Sequence, residues 1–210
     1  MRMLAIETAS EACSIALFEG ESMVAHDHRV IGRGHAEALV PMIAALPDKG
    51  RAARVLVGLG PGSFTGVRIG LATARALGFA WGAQVLGYPT LALMAAQAQT
   101  DHPAKPLTVC IHGGHGEWFV QDFDTDGVPA SRVASLAPDA AAQRPVAPTI
   151  AGNRAEALAA LVSGERLVLP ALLPDARAVP LVKQDLFTAN LAPIYGRGAD
   201  ATPMAERAPA

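Results

Sequence analysis

The stretch Gly60-Pro61-Gly62-Ser63-Phe64-Thr65-Gly66-Val67-Arg68 constrains this chain more than any other. The apolar residues before it, Val55, Leu56, Val57 and Leu59, predict a buried strand. The long alanine-rich segment behind it predicts a helix from Gly66 to about Trp81. Between them, glycines and a proline set an unusual backbone path. Ser63 or Thr65 stands where it can cap the helix, and free amides there can face an anion. The spacing also excludes alternatives. No Lys follows in P-loop register, the glycines miss the dinucleotide pattern, and Gly62-Ser63 lacks the flanking glycines of a nucleophile elbow. Chemistry alone leaves two readings open, a tight strand-to-helix turn with a good cap or a ligand loop.

Around this loop the apolar pattern predicts strands at Met3 to Thr8, Cys13 to Glu19 and Ser22 to Val30, then a helix from His35 to Leu46. After Trp81 come a short strand, Gln84 to Gly87, and a helix opened by Pro89. Asp101 to Pro106 is polar, carries two prolines and reads as a boundary. The pattern then restarts. Strands are expected at Leu107 to Ile111, Trp118 to Phe123 and Arg132 to Leu136, with a short helix near Pro138. Strand Thr149 to Ala151, helix Arg154 to Val162, strand Leu167 to Leu169 and a last helix from about Asp175 to Leu191 follow. Both halves run strands first and then alternate helix with strand, which predicts a duplicated α/β unit: residues 1–103, residues 104–195, and a tail at 196–210 rich in Gly, Ala and Pro and expected to be disordered. Parallel strands place Glu7-Thr8-Ala9-Ser10 and the glycine loop at the same sheet edge.

The net charge is −2 and the basic residues are scattered, which argues against this chain holding a nucleic acid by itself. Cys13 and Cys110 lie in apolar runs and are expected as buried thiols. The first residues lack signal-peptide architecture. Ala76 to Thr100 is uncharged, but Gly78, Gly82, Gly87 and Pro89 break it, so a cytoplasmic protein with no membrane span is expected. His26 and His28 share a strand face, and His112 and His115 share a glycine-rich loop. Neither pair has zinc-site spacing, so no metal site is expected and the histidines are expected at the surface.

Three segments carry a family resemblance: ETASEACSIAL at 7–17, GPGSFTGVRIG at 60–70 and GEWFVQDF at 116–123. Together they resemble the TsaB family, also called YeaZ, which takes part in making threonylcarbamoyladenosine in tRNA. The resemblance implies the actin/sugar-kinase/Hsp70-like (ASKHA) fold with two α/β subdomains. It implies a non-catalytic subunit that binds TsaD. TsaD holds the metal and transfers threonylcarbamoyl to adenosine 37, and the small ATPase TsaE joins the pair. ATP or ADP and metal are then expected on those partners, with no cofactor on this chain. A homodimer is the expected state without TsaD, and tRNA is met only through the complex.

The resemblance also assigns residues. Glu7 and Thr8, with Gly60, Gly62, Ser63, Thr65 and Gly66, form the nucleotide-like loop pair. Kinase-like relatives have Asp where Glu7 stands, and a strand-end carboxylate bonded to nearby amides is the competing reading. In the second such loop, His112, Gly113 and Gly114 replace the family's Asp-Ala-Arg, so a carboxylate and an arginine are gone. The partner interface falls on two helices: His35, Leu39 and Met42 on the first, and Val67, Arg68, Gly70, Leu71, Ala74, Arg75 and Gly78 on the second. Gly66, Gly70, Ala74, Gly78 and Gly82 recur every four residues as a ridge of small side chains, which packs on its own sheet or on another chain. On the interface reading, Gly70→Glu or Leu71→Asp breaks pairing and leaves the monomer folded. Arg68 and Arg75 are expected as solvated charges or as partners of acids across an interface. Tyr195 is expected to pack and Arg197 to be exposed. The alternative function is an independent ATP-binding phosphotransferase or ATPase using Glu7, Thr8 and the glycine loop; a metallopeptidase is an older reading of the superfamily.

Overall fold

A computed structural model describes residues 1–102, 105–170 and 172–196. Short alternating strands open the chain: β1 (Arg2–Glu7), β2 (Ala12–Glu19) and β3 (Ser22–Val30). α1 (His35–Ala45), β4 (Arg54–Gly58), α2 (Phe64–Trp81), β5 (Gln84–Tyr88) and α3 (Thr90–Asp101) complete the first half. The sheet order is β3-β2-β1-β4-β5, antiparallel through β1 and parallel beyond it. Alternation along the strands serves two cores. Leu4, Ile6, Val55 and Val57 meet α1 and α2 on one face, while Ala5, Leu56 and Tyr88 look to the other.

The second half repeats the plan with β6 (Leu107–Gly114), β7 (Glu117–Phe123), β8 (Ala134–Leu136), α4 (Pro138–Ala142), β9 (Thr149–Ala151), α5 (Ala155–Leu161) and β10 (Leu167–Leu169). Its sheet order, β10-β9-β6-β7-β8, is the first sheet's order repeated element for element. α3 lies between the two sheets. Leu93 packs on the first, and Leu91, Met94 and Ala98 pack on Val109, Phe119 and Phe123 of the second. A helix enclosed from both sides is apolar all round, which accounts for its lack of charge before Asp101. No helix among the described residues is long and apolar enough to cross a membrane.

One expected element is absent. The segment from Asp175 to Leu191 forms no long helix; it makes two short 3-10 turns, Ala176–Leu181 and Gln184–Leu186. Pro180 lacks the donor a longer helix needs there. Ala176, Ala178, Val179 and Val182 are instead laid across Ala5, Phe18, Leu56 and Tyr88. The segment is thus a strap that returns from the second half to seal the open face of the first sheet. Thr188 pairs with Gly87 through two backbone bonds of 2.8 and 3.0 Å, and the Ile194 amide donates to the Leu59 carbonyl at 2.8 Å. The expectations for Arg197 and for the tail beyond Gly196 lie outside the described residues.

Candidate functional site

The parallel pairing of β1 with β4 brings their carboxyl ends together, and the two loops lock. The Ser63 amide donates to the Ala9 carbonyl at 2.7 Å, and Thr8 Oγ1 donates to the Gly66 carbonyl at 2.8 Å. A methyl group at Gly62 would strike the Ala9 carbonyl, and one at Gly66 the Thr8 carbonyl. The glycines are there so that two backbones can touch. Ser63 is the helix cap, its Oγ accepting from the Gly66 amide at 3.2 Å, and Thr65 is exposed in the first turn. Gly60 has φ of 85° and joins Pro61 by a cis peptide bond. Its amide donates to Thr90 Oγ1 at 3.2 Å.

Glu7 is fully buried. Its Oε1 accepts from the Ala9 amide at 2.7 Å, and its Oε2 accepts from Thr90 Oγ1 at 3.0 Å. Burial pushes its carboxyl up to about 7, against the hydrogen bonds that pull it down. Glu7, Thr8 and Thr90 therefore act as struts joining β1, α2 and α3. The reading of Glu7 as a carboxylate bonded to local amides matches this geometry. Thr90, which no local motif marks, is the member sequence reasoning missed.

Opposite stands the wall of the second half. The end of β6 and the turn that follows it present His112, Gly113, Gly114 and His115. The His112 amide donates to Asn153 Oδ1 at 2.9 Å, and Asn153 Nδ2 donates across the gap to Glu11 Oε1 at 3.3 Å. Between the walls lies a cavity of about 1030 Å³. At its rim, Arg68 lies 3.5 Å from the centre of the Phe64 ring and donates to the Tyr195 hydroxyl at 3.2 Å. Glu7 is enclosed and bonded, Glu11 is held by Asn153, and no metal-capable group of three acidic, His or Cys side chains occurs among the described residues.

The interface residues need correction. Leu39, Met42, Val67, Leu71 and Ala74 are buried in the chain's own core. His35 is buried too, its Nε2 3.2 Å from the Ala12 carbonyl oxygen, and so is not a surface histidine. The small-residue ridge packs inward: a methyl at Gly70 would meet Thr8 Oγ1, and one at Gly78 would meet Val85. Gly70→Glu or Leu71→Asp would consequently unfold the monomer rather than spare it. Arg68 and Arg75 are exposed, but both hold the strap, Arg75 donating to the Leu191 carbonyl at 3.0 Å. Tyr195 is half exposed and stacks obliquely near Phe64, with ring centres 6.2 Å apart.

The outward surface of the helix pair is a different set. Two positions along a helix turn the side chain by about 200°, so the ridge's outer counterpart is Ala72, Ala76 and Ala80, all exposed. Phe79 beside them is 93% exposed, and Val40 on α1, between exposed Ala36 and Ala44, is 56% exposed.

Comparisons with known proteins agree with this arrangement. The family model described as TsaD, tRNA N6-adenosine threonylcarbamoyltransferase, matches residues 28–160, more than half of the chain. The tRNA threonylcarbamoyladenosine biosynthesis protein TsaB of Escherichia coli strain K12 is 35% identical over 131 residues, 60% of this chain and 56% of that protein. The solved structure described as an uncharacterized protein with similarity to peptidase YEAZ from Pseudomonas aeruginosa superposes with a TM-score of 0.79 at 27% identity. That match covers 93% of this chain and 99% of the other. The chain belongs to the TsaB (YeaZ) family. It spans about half the length of the curated TsaB proteins it matches first. An uncharacterized protein of Mycobacterium tuberculosis is matched almost end to end, 33% identical over 97% of this chain and 95% of that one. The TsaB-family fold here is the two-subdomain, actin-like α/β fold, the same strand order occurring twice.

Proposed function

We propose that this chain is a non-catalytic subunit of a cytoplasmic complex that makes threonylcarbamoyladenosine at tRNA position 37, and that it docks on TsaD through the outer faces of α1 and α2. The observation that carries the reading is the surface around Phe79. A phenylalanine 93% exposed, flanked by exposed alanines, costs free energy in water and is the composition of an interface centre. Val40 and Ala44 continue it onto α1, which packs against α2. The acids of the cleft are occupied by structural bonds, which supports the non-catalytic part of the reading. TsaD supplies the metal and the transfer chemistry, TsaE supplies ATP hydrolysis, and tRNA meets the assembled complex. Without TsaD the same surface pairs two copies of this chain.

The test uses Phe79→Asp and Ala76→Glu, alone and together, in co-purification with TsaD. The double variant should lose co-elution while its thermal midpoint stays within a few degrees of the parent. Co-elution at the parent level would refute the docking surface. ATP hydrolysis by the purified chain, abolished by Glu7→Gln, would refute the non-catalytic role.

A further inference from the structure

β3 is the outer strand of the first sheet, and at nine residues it is the longest strand among the described residues. β2 covers one of its edges. Which backbone groups point the other way follows from the register. The Ile31 amide donates to the Glu11 carbonyl at 2.9 Å, so positions 11 and 31 are in hydrogen-bonded phase, and every second pair along the ladder repeats that phase. Arg29, Asp27 and Ala25, opposite Cys13, Ile15 and Leu17, turn their backbone groups to β2. His26, His28 and Val30 turn theirs outward. In keeping with this, the Ala12 carbonyl, opposite Val30, lies 3.2 Å from His35 Nε2. Val30 is 65% exposed, and His26 and Arg29 are exposed as well. The register slip of the β2–β3 ladder falls at Leu17/Phe18, beyond Ala25, and leaves this stretch regular.

An open edge accepts another strand unless its side chains forbid it. Here the side chains are selective. Asp27 and Arg29 share one face of β3 as a bidentate ion pair, Arg29 Nε and Nη2 donating to Asp27 Oδ1 and Oδ2 at 3.1 and 2.5 Å. When two identical strands pair antiparallel, the two-fold axis passes through one residue, and residues equally far from it on either side oppose each other. An axis at His28 sets Asp27 against Arg29 of the second copy, and symmetry repeats the match. The same axis sets the outward backbone groups of His26 against those of Val30, and those of His28 against themselves. An axis at Asp27 or at Arg29 would keep the backbone in phase but set Asp27 against Asp27, or Arg29 against Arg29. Charge therefore selects one register. His28, on the axis, turns its imidazole to the strap of its own chain, with Nδ1 3.5 Å from Asp175 Oδ2.

We propose that β3 is a pairing edge for a second copy of this chain, the two β3 strands meeting antiparallel about His28 so that two five-stranded sheets run on as one. This goes beyond the docking role and does not rest on it. β3 stands at the opposite end of the sheet from β5, and α2 packs on β4, β1 and β5, so the surface around Phe79 takes no part.

Sedimentation equilibrium over a concentration series tests it. The full chain carries Phe79→Asp and Ala76→Glu throughout, so that pairing through the helices does not contribute. A monomer–dimer equilibrium should persist in that background. Asp27→Arg and Arg29→Asp, each alone, should weaken it about tenfold or more by setting like charges opposite each other. Both substitutions in one chain should restore it. Mixing the two singly substituted chains should also restore it, because positions 27 and 29 of one then carry the charge opposite to those of the other. Unaltered melting curves would show that the variants are folded. Hydrogen exchange at the His26, His28 and Val30 amides should slow as concentration rises, while the Asp27 and Arg29 amides, already turned to β2, stay constant. A monomer at every concentration up to about 1 mM, single variants that pair like the parent, or a mixture that stays monomeric would each overturn the proposal.

Discussion

Glu7 sits where a carboxylate is least at ease, out of water and facing only neutral donors. Its pKa is raised by burial from an ordinary 4.5 to about 7. Between these values the folded chain keeps a proton that the unfolded chain releases. Stability therefore falls as pH rises through that window, by an upper bound of roughly 3 kcal/mol. Glu7→Gln keeps the acceptor for the Ala9 amide and can donate to Thr90. Urea denaturation should find the variant gaining on the parent from pH 5 to pH 8. Parallel profiles would show that Glu7 does not titrate in this range. The bond to Ala9 was legible in the sequence, because a strand-end acid followed by a turn invites a local acceptor. The bond to Thr90 was not, because it joins positions 83 residues apart that only the sheet brings together.

At the scale of the element, α2 has two faces that a four-residue period alone does not tell apart. Gly66, Gly70 and Gly78 meet Thr8 and Val85, whereas Ala72, Ala76 and Ala80 meet solvent. Both rows are small, and both recur every four residues. What separates them is the close approach of β1 and β5, a tertiary fact. Gly66→Ala should destabilise the chain by about 1–3 kcal/mol through collision with the Thr8 carbonyl. Ala76→Glu, ten residues along on the outer face, should stay within about 0.5 kcal/mol. Equal effects in urea denaturation would mean that the faces are misassigned. The strands and helices before Asp101 were largely readable from apolar period, because each buries one face or is enclosed entirely. The segment after Pro174 was not. Its alanines and valines look helical, yet Pro180 and the bare face of the first sheet draw it into a strap.

Over the whole molecule, Asp175 ties the strap to the first sheet. Its Oδ1 accepts from Ser14 Oγ at 3.2 Å and its Oδ2 from Arg177 Nε at 2.8 Å, with His28 Nδ1 3.5 Å away. Burial pushes its carboxyl up, but the Arg177 bonds and the neighbouring His28 and Arg177 charges outweigh it, and the net shift is downward. The stability this contributes is present above the ordinary 3.8 and is lost as pH falls below it. Asp175→Asn should cost about 1–3 kcal/mol at neutral pH and speed hydrogen exchange at the Ala176, Arg177 and Thr188 amides before other sites. Unchanged exchange there would mean that the strap is held by its apolar contacts alone. The strap also sets the order in which a nascent chain can finish. Tyr88, Leu56 and Phe18 leave the ribosome early, but the residues that cover them arrive only after Pro174. The front half must wait, half clothed, until the whole of the second half has been made, and the interval is when a chaperone has most to offer it.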